Sequence, residues 1–184
     1  FIKYYIKQMI RYSVLAILLS VMLAACNNKT VTVNNTTTSL VRDTIEKDVH
    51  TLSNADSVTI RHLDLDIKVS FEKKQISGCA TWTIDDSNKQ QELKLDTYDL
   101  SIDSVFVNGQ KATFKLDSPI RYLGSALHIP ILAGSNLVAI YYRTGKNAEA
   151  LQWLDPQQTL DKKHPFLYTQ SESIHARSWI PCPA

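Results

Sequence analysis

Five histidines, three cysteines and a Gln-x-Glu near the C-terminus are the residues of this 184-residue chain with the most chemistry to offer. The histidines open the strings HTLSN (His50), HLDLD (His62), HIPIL (His128), HPFLY (His164) and HARSW (His175). None forms the HExxH pair that puts two imidazoles and a general base on one helical face around zinc. No G-x-S-x-G or Walker string offers another mechanism. Cys79 and Cys182 have the chemistry to pair in an oxidising compartment, but nothing in the sequence places them together, and free thiols are expected. His175 and Arg177 are expected to brace their loop through hydrogen bonds, His164 before Pro165 to serve a turn, and Trp82, Trp153 and Trp179 to pack in a core or between domains. Gln170 and Glu172, two apart in a polar stretch, would by themselves be ordinary loop residues.

The third cysteine has a distinct setting. Val14–Ala25 reads VLAILLSVMLAA, twelve residues with Ser20 as the only polar one. At about 1.5 Å per residue such a helix reaches about 18 Å, short of the roughly 30 Å of a bilayer core. Lys3, Lys7 and Arg11 precede it, with no acid before Cys26. A basic start, a short apolar run and small residues before a cut describe a secretory signal, and Leu23-Ala24-Ala25-Cys26 resembles a bacterial lipobox. The Cys26 thiol is then expected to take a diacylglycerol and hold the protein to a membrane. Residues 1–25 form the signal region, with Met9 the expected start because Phe1 is no initiator. The expected location is the bacterial cell envelope on the periplasmic side, and Asn27 after the acylated cysteine favours the outer membrane.

Charge supports this division. The whole chain carries 20 Lys and Arg against 18 Asp and Glu, a net +2. Without the three basic residues of the signal the balance is 17 against 18, too near neutral for a nucleic-acid binder. Residues 26–57 are rich in Asn and Thr, lack aromatics, and are expected to form a lipid-anchored flexible tether, with 42–48 the stretch able to form a helical turn, since they bury too little to offset their ordering entropy.

From Val58 the pattern is that of strands. Leu63, Leu65, Ile67, Val69 and Phe71 alternate with polar residues, as do Ile76, Gly78, Ala80, Trp82 and Ile84, and Glu72–Gln75 joins the two runs as a hairpin. Shorter runs follow at 92–95, 100–107 and 112–116, the last two flanking Asn108-Gly109, a type I′ hairpin signal. Runs at 126–131 and 137–143 flank Ala133-Gly134-Ser135 and predict another hairpin. After Tyr142 the alternation stops. The pattern predicts an all-β fold, an antiparallel multi-sheet β-sandwich, over residues 58–184.

Several strings in this part carry a more specific message: His62-Leu63-Asp64-Leu65-Asp66, Leu95-Asp96-Thr97, Leu123-Gly124-Ser125-Ala126-Leu127, Ala150-Leu151-Gln152-Trp153-Leu154, Lys163-His164-Pro165-Phe166-Leu167, Gln170-Ser171-Glu172, and Ile174-His175-Ala176-Arg177-Ser178-Trp179-Ile180-Pro181-Cys182. Through them the chain resembles the N-terminal domain of peptidase family M1, the zinc aminopeptidases, in the branch of leukotriene-A4 hydrolase, over about residues 58–182. The resemblance implies a saddle-like β-domain whose Gln-x-Glu projects into the active site of a neighbouring catalytic domain. Gln170 would line the pocket for the first side chain and Glu172 would help hold the substrate amine. A carboxylate suits that task, because a charge-assisted hydrogen bond to an ammonium is roughly twice as strong as a neutral one. Peptides with a free N-terminus are the implied substrates.

Zinc belongs, by the same resemblance, to the intact enzyme. No zinc is expected on this chain, which lacks both HExxH and the GxMEN-type segment. Where relatives continue Ile-Pro-Cys-Gln-Asp-Thr-Pro, this chain reads Ile180-Pro181-Cys182-Pro183-Ala184, and a break before the missing catalytic domain is expected. By this reading the 184 residues alone are inactive. The rival from a different class is a stand-alone β-sandwich lipoprotein that binds without catalysis. An epoxide hydrolase activity is disfavoured by Glu172, since the leukotriene hydrolase itself has glutamine there.

Overall fold

The structure, a computed structural model, describes residues 48–86 and 89–183. The signal region, Cys26 and most of the expected tether lie outside the described residues. Among the described residues ten strands form three antiparallel sheets. β1 (Thr59–Ser70), β2 (Gln75–Asp85), β4 (Ser101–Val107), β5 (Gln110–Ala112) and β8 (Leu137–Arg143) make a five-stranded sheet in the order β1-β2-β8-β4-β5. β3 (Glu92–Thr97), β6 (Lys115–Leu116) and β7 (Ser125–Pro130) make a three-stranded one in the order β3-β7-β6. β9 (Leu151–Leu154) and β10 (Phe166–Thr169) form a two-stranded ribbon. Among the described residues the helical elements are two 3-10 turns, at Pro156–Gln158 and His175–Ser178.

The antiparallel multi-sheet fold anticipated from the alternating runs is present. Alternation arises because successive side chains on a strand point to opposite faces, so β2 buries Ile76, Ala80, Trp82 and Ile84 at every second or fourth position. The inner faces of the two larger sheets share one core. It is made by Ala80, Trp82 and Ile84 of β2, Leu93 and Leu95 of β3, Val105 of β4, Leu127 and Ile129 of β7, and Val138, Ile140 and Tyr142 of β8. Each fully buried aliphatic side chain here contributes about 1.5–3 kcal/mol. Asn108 and Gly109 take the positive φ values, 48° and 78°, of the anticipated tight turn, closing Val107 onto Gln110.

Two local expectations are corrected. The run 112–116 is two strands, because β5 ends on the large sheet at Ala112 and β6 begins on the other at Lys115, with Thr113 and Phe114 turning the corner. The segments on either side of Ala133-Gly134-Ser135 are not a hairpin: β7 and β8 belong to different sheets. The turn between them is closed by Ser135 N–H donating to the Leu132 carbonyl (2.9 Å), and Asn108 Oδ1 accepts the amides of Asn136 (3.1 Å) and Leu137 (3.0 Å). This links the turn to the β4–β5 hairpin, so the chain crosses between sheets where local pattern alone reads as a return. The region after Tyr142 contains the β9–β10 ribbon, held by a second cluster of Ile76, Ala148 and Leu151 with Ile67, Trp153, Leu167 and Trp179. Its strands are four residues each, too short for alternation to register.

The chain joins the domain ahead of Val58. Leu52 N–H and the Thr51 hydroxyl donate to the Asp96 carboxylate (2.8 and 2.5 Å). The Asn54 side-chain amide donates to the Glu92 carbonyl (2.8 Å), and its Oδ1 accepts Lys94 N–H (2.7 Å).

Candidate functional site

The Gln170-Ser171-Glu172 segment leaves the end of β10. The last ladder pair is Thr169 with Leu151, and Gln170 N–H then donates to the Ala150 carbonyl (2.9 Å). Gln170 and Glu172 are exposed and Ser171 is half-buried between them. Glu172 N–H donates to Gln170 Oε1 (3.1 Å), so the two named site residues touch, and a cis peptide bond follows between Glu172 and Ser173. Among the described residues no side chain engages the Glu172 carboxylate, which leaves both of its oxygens open to an incoming cation.

The loop is tied down from behind. Ser171 accepts at two atoms: its carbonyl takes His175 N–H (3.0 Å) and its hydroxyl takes Trp179 Nε1–H (3.0 Å). His175 Nδ1 lies 2.8 Å from Glu149 Oε2, and the Ser178 hydroxyl donates to the His175 carbonyl (2.7 Å) while accepting Ala150 N–H (3.1 Å). The connection before β9 and the loop after β10 are therefore stitched together.

Beneath this lies a buried charge. Arg177 is 1% exposed. Its Nη1 donates to the Leu123 carbonyl (2.9 Å) and its Nη2 to the His50 carbonyl (2.8 Å), with Asp96 Oδ2 at 3.4 Å. Asp96 is fully buried and exchanges two backbone hydrogen bonds with Cys182. A buried ion pair of this kind survives because the remaining donors and acceptors are also met, leaving only Arg177 Nε without a partner. Trp82 Nε1–H donates to the Pro181 carbonyl (2.9 Å), fixing the last residues over the main core. Burial pushes the Cys182 thiol up to about 12, with the adjacent Asp96 charge adding to the effect. Cys182 and Cys79 are both free thiols.

His175 thus braces the loop, as anticipated, whereas the Arg177 side chain ties to the His50 and Leu123 carbonyls instead, and His164 occupies a turn in which its Nδ1 lies 2.5 Å from Asp161 Oδ2. The backbone amide of Lys163, then the side chain and amide of His164, hold the Asp161 carboxyl well below the usual range. Sequence reasoning overlooked Asp96 and Glu149. Alternation gave no signal for Asp96, because Leu93, Leu95 and Thr97 share one face of β3 and Asp96 falls on the face of half-buried Lys94.

A groove of about 870 Å³ opens beside Glu149, between Tyr98–Leu100, the 116–124 segment and Asn147, and neither Gln170 nor Glu172 lines it. The site residues stand on an open surface. Among the described residues no group of three His, Cys, Asp or Glu side chains is placed to hold a metal ion, so the side chains here do not fit a zinc centre. Cys26 lies outside the described residues, among which no helix is long and apolar enough to cross a membrane.

The antiparallel multi-sheet architecture defines the class of this protein as an all-β domain. Residues 58–183 match the Peptidase M1 N-terminal domain, and the chain belongs to that family. It is 40% identical over 143 residues to leucine aminopeptidase 2 of Saccharomyces cerevisiae, covering 74% of this chain and 21% of the relative. Leucine aminopeptidase 2-2 of Scheffersomyces stipitis is 38% identical over 140 residues, with 74% and 22% covered. The structure of yeast LTA4 hydrolase in complex with bestatin superposes with a TM-score of 0.69 at 40% identity, covering 76% of this chain and 23% of that one. The chain spans about a fifth of the length of these relatives.

Proposed function

We propose that this domain is the substrate-binding N-terminal part of a membrane-anchored zinc aminopeptidase. Glu172 accepts the protonated α-amine of a peptide and Gln170 lines the pocket for its first side chain. The observation that carries the reading is the Glu172 carboxylate: exposed, unpaired by any described side chain, and held on a loop pinned by the half-buried His175 and Trp179. A carboxylate with both oxygens open accepts two N–H donors of an ammonium, and a fixed loop contributes by sparing the substrate the cost of ordering it. An enzyme that anchors the amine at one point presents only the first peptide bond for cleavage. Zinc in the intact enzyme would polarise the scissile carbonyl from ligands supplied outside the residues described here.

Two measurements test this. The coding frame beyond Ala184 is expected to contain HExxH with a third glutamate ligand downstream, and its absence sinks the aminopeptidase reading in favour of a binding module. In the intact enzyme Glu172→Ala is expected to raise KM for an aminoacyl anilide at least about tenfold, as loss of a charge-assisted hydrogen bond of about 1.5–3 kcal/mol requires. Unchanged kinetics would count against the assigned role.

The anchor rests on the sequence around Cys26. More than one acyl chain, each buried methylene adding about 0.8 kcal/mol, gives stable attachment. Cys26→Ser is expected to move the protein from the membrane to the soluble fraction and abolish labelling by a radioactive fatty acid. Fatty-acid labelling that persists undiminished in Cys26→Ser rules the anchor at Cys26 out.

A further inference from the structure

The ribbon that carries the site is a weak support by itself. Two strands of four residues are marginal in water, and Gln170 and Glu172 lie beyond their last ladder pair. Some other contact must set the direction in which these side chains point. Ser171 supplies it. It is the least exposed residue of the three, and it is held at two atoms, its carbonyl by His175 N–H and its hydroxyl by Trp179 Nε1–H, each at 3.0 Å. Trp179 is itself fixed, because its ring packs against both hydrophobic clusters, the main core and the one under the ribbon. The indole is therefore a rigid donor reaching from the core to the residue between the two site side chains. With Ser171 turned inward, its neighbours are left facing out.

Resting on the reading of Gln170 and Glu172 given above, we infer that Ser171 and Trp179 are positioning residues, and that the Trp179 indole-to-Ser171 hydroxyl hydrogen bond sets the placement of the amine-holding pair. Neither touches substrate. Their effect passes through the backbone of the loop, so it falls on capture of the peptide N-terminus rather than on the chemical step. A separate side-chain contact, His175 Nδ1 to Glu149 Oε2 at 2.8 Å, holds the same loop and keeps it in place, less well aimed, when the indole bond is lost.

The test compares Ser171→Ala, Ser171→Thr, Trp179→Phe and the Ser171→Ala/Trp179→Phe double variant in the intact enzyme, with Glu172→Ala as reference. Loss of one neutral hydrogen bond predicts that Ser171→Ala and Trp179→Phe each raise KM for an aminoacyl anilide by about two- to tenfold with kcat nearly unchanged. The double variant is expected to be no worse than the worse single one, since both remove the same bond. Ser171→Thr keeps the hydroxyl and is expected to restore the wild-type KM. Effects that multiply in the double variant, or a Ser171→Ala enzyme identical to wild type, overturn the inference. Exchange of the Trp179 indole proton, followed by NMR in the same proteins, separates this outcome from failure of the functional reading. It is expected to be slow in wild type and Ser171→Thr and about tenfold faster in Ser171→Ala. Equal exchange rates refute the bond whatever Glu172→Ala does.

Discussion

At the scale of single residues the buried pair Arg177 and Asp96 decides most. A guanidinium presents its donors in a fixed planar fork, and here the fork reaches two carbonyls from distant parts of the chain, those of His50 and Leu123, beside one carboxylate. Arg177→Met keeps much of the bulk but strands the Asp96 charge and two carbonyl oxygens. It is expected to cost about 3–5 kcal/mol in urea unfolding, the range for removing one partner of a buried pair. Adding Asp96→Asn is expected to recover part of that loss, because the stranded charge is gone. Arg177→Lys keeps charge without the fork and should fall between. A loss below about 1 kcal/mol for Arg177→Met would show that the buried pair is not what secures the tail.

At the scale of elements the turns separate two kinds of glycine. Gly109 has φ of 78° with open space where a Cβ would sit, so Gly109→Ala meets only the intrinsic penalty of the left-handed region, about 1–2 kcal/mol. Gly124 has φ of 81°, and a Cβ there would lie 2.0 Å from the Thr97 carbonyl oxygen. That oxygen belongs to β3, which pairs with β7 immediately after the glycine, so Gly124→Ala forces the two strands apart. Thermal unfolding is expected to show a modest fall in Tm for Gly109→Ala and a far larger one, or failure to fold, for Gly124→Ala. Similar losses in both would mean that the close approach of the 120–124 turn to β3 is not a constraint.

At the scale of the whole molecule, acid stability follows from carboxylates held by neighbouring cations. His128 stands between two of them, Nδ1 at 3.0 Å from Glu92 and Nε2 at 2.7 Å from Asp117, joining β3, β7 and the end of β6. Burial pushes Glu92 up, but hydrogen bonds from His128 and Lys94 outweigh it, and its carboxyl lies below the ordinary range. Lys115 first, then His128, hold the Asp117 carboxyl low as well. Folded values below unfolded ones contribute stability that is fully present above the unfolded values, about 4, and is lost as pH falls through the folded ones. The contribution of these carboxylates to Tm is therefore expected to hold a plateau above about pH 5 and to fall below about pH 4. Glu92→Gln and Asp117→Asn should lower the plateau and make the acid fall shallower. An acid limb unchanged in both variants would place the titrating groups elsewhere.

The residue alternation of β1, β2 and β8 and the Asn108-Gly109 turn were legible because they are local: the two-residue period and the tolerance for positive φ follow from the stereochemistry of each residue. The strings from Ala150 to Cys182 likewise carried the family without a structure. The sorting of strands into sheets was not legible. Whether 112–116 continues or turns a corner, and whether the chain returns or crosses at Ala133–Ser135, depends on which distant faces it buries and on Asn108 capturing the amides of Asn136 and Leu137. The site divides in the same way. Sequence alone determined which side chains, Gln170 and Glu172, offer an amide and a carboxylate. Only the tertiary structure decided that the serine between them is pinned by an indole eight residues away, and that an arginine buried with Asp96 anchors the tail. Such contacts form only when separate elements close on one core, and no local pattern encodes that closure.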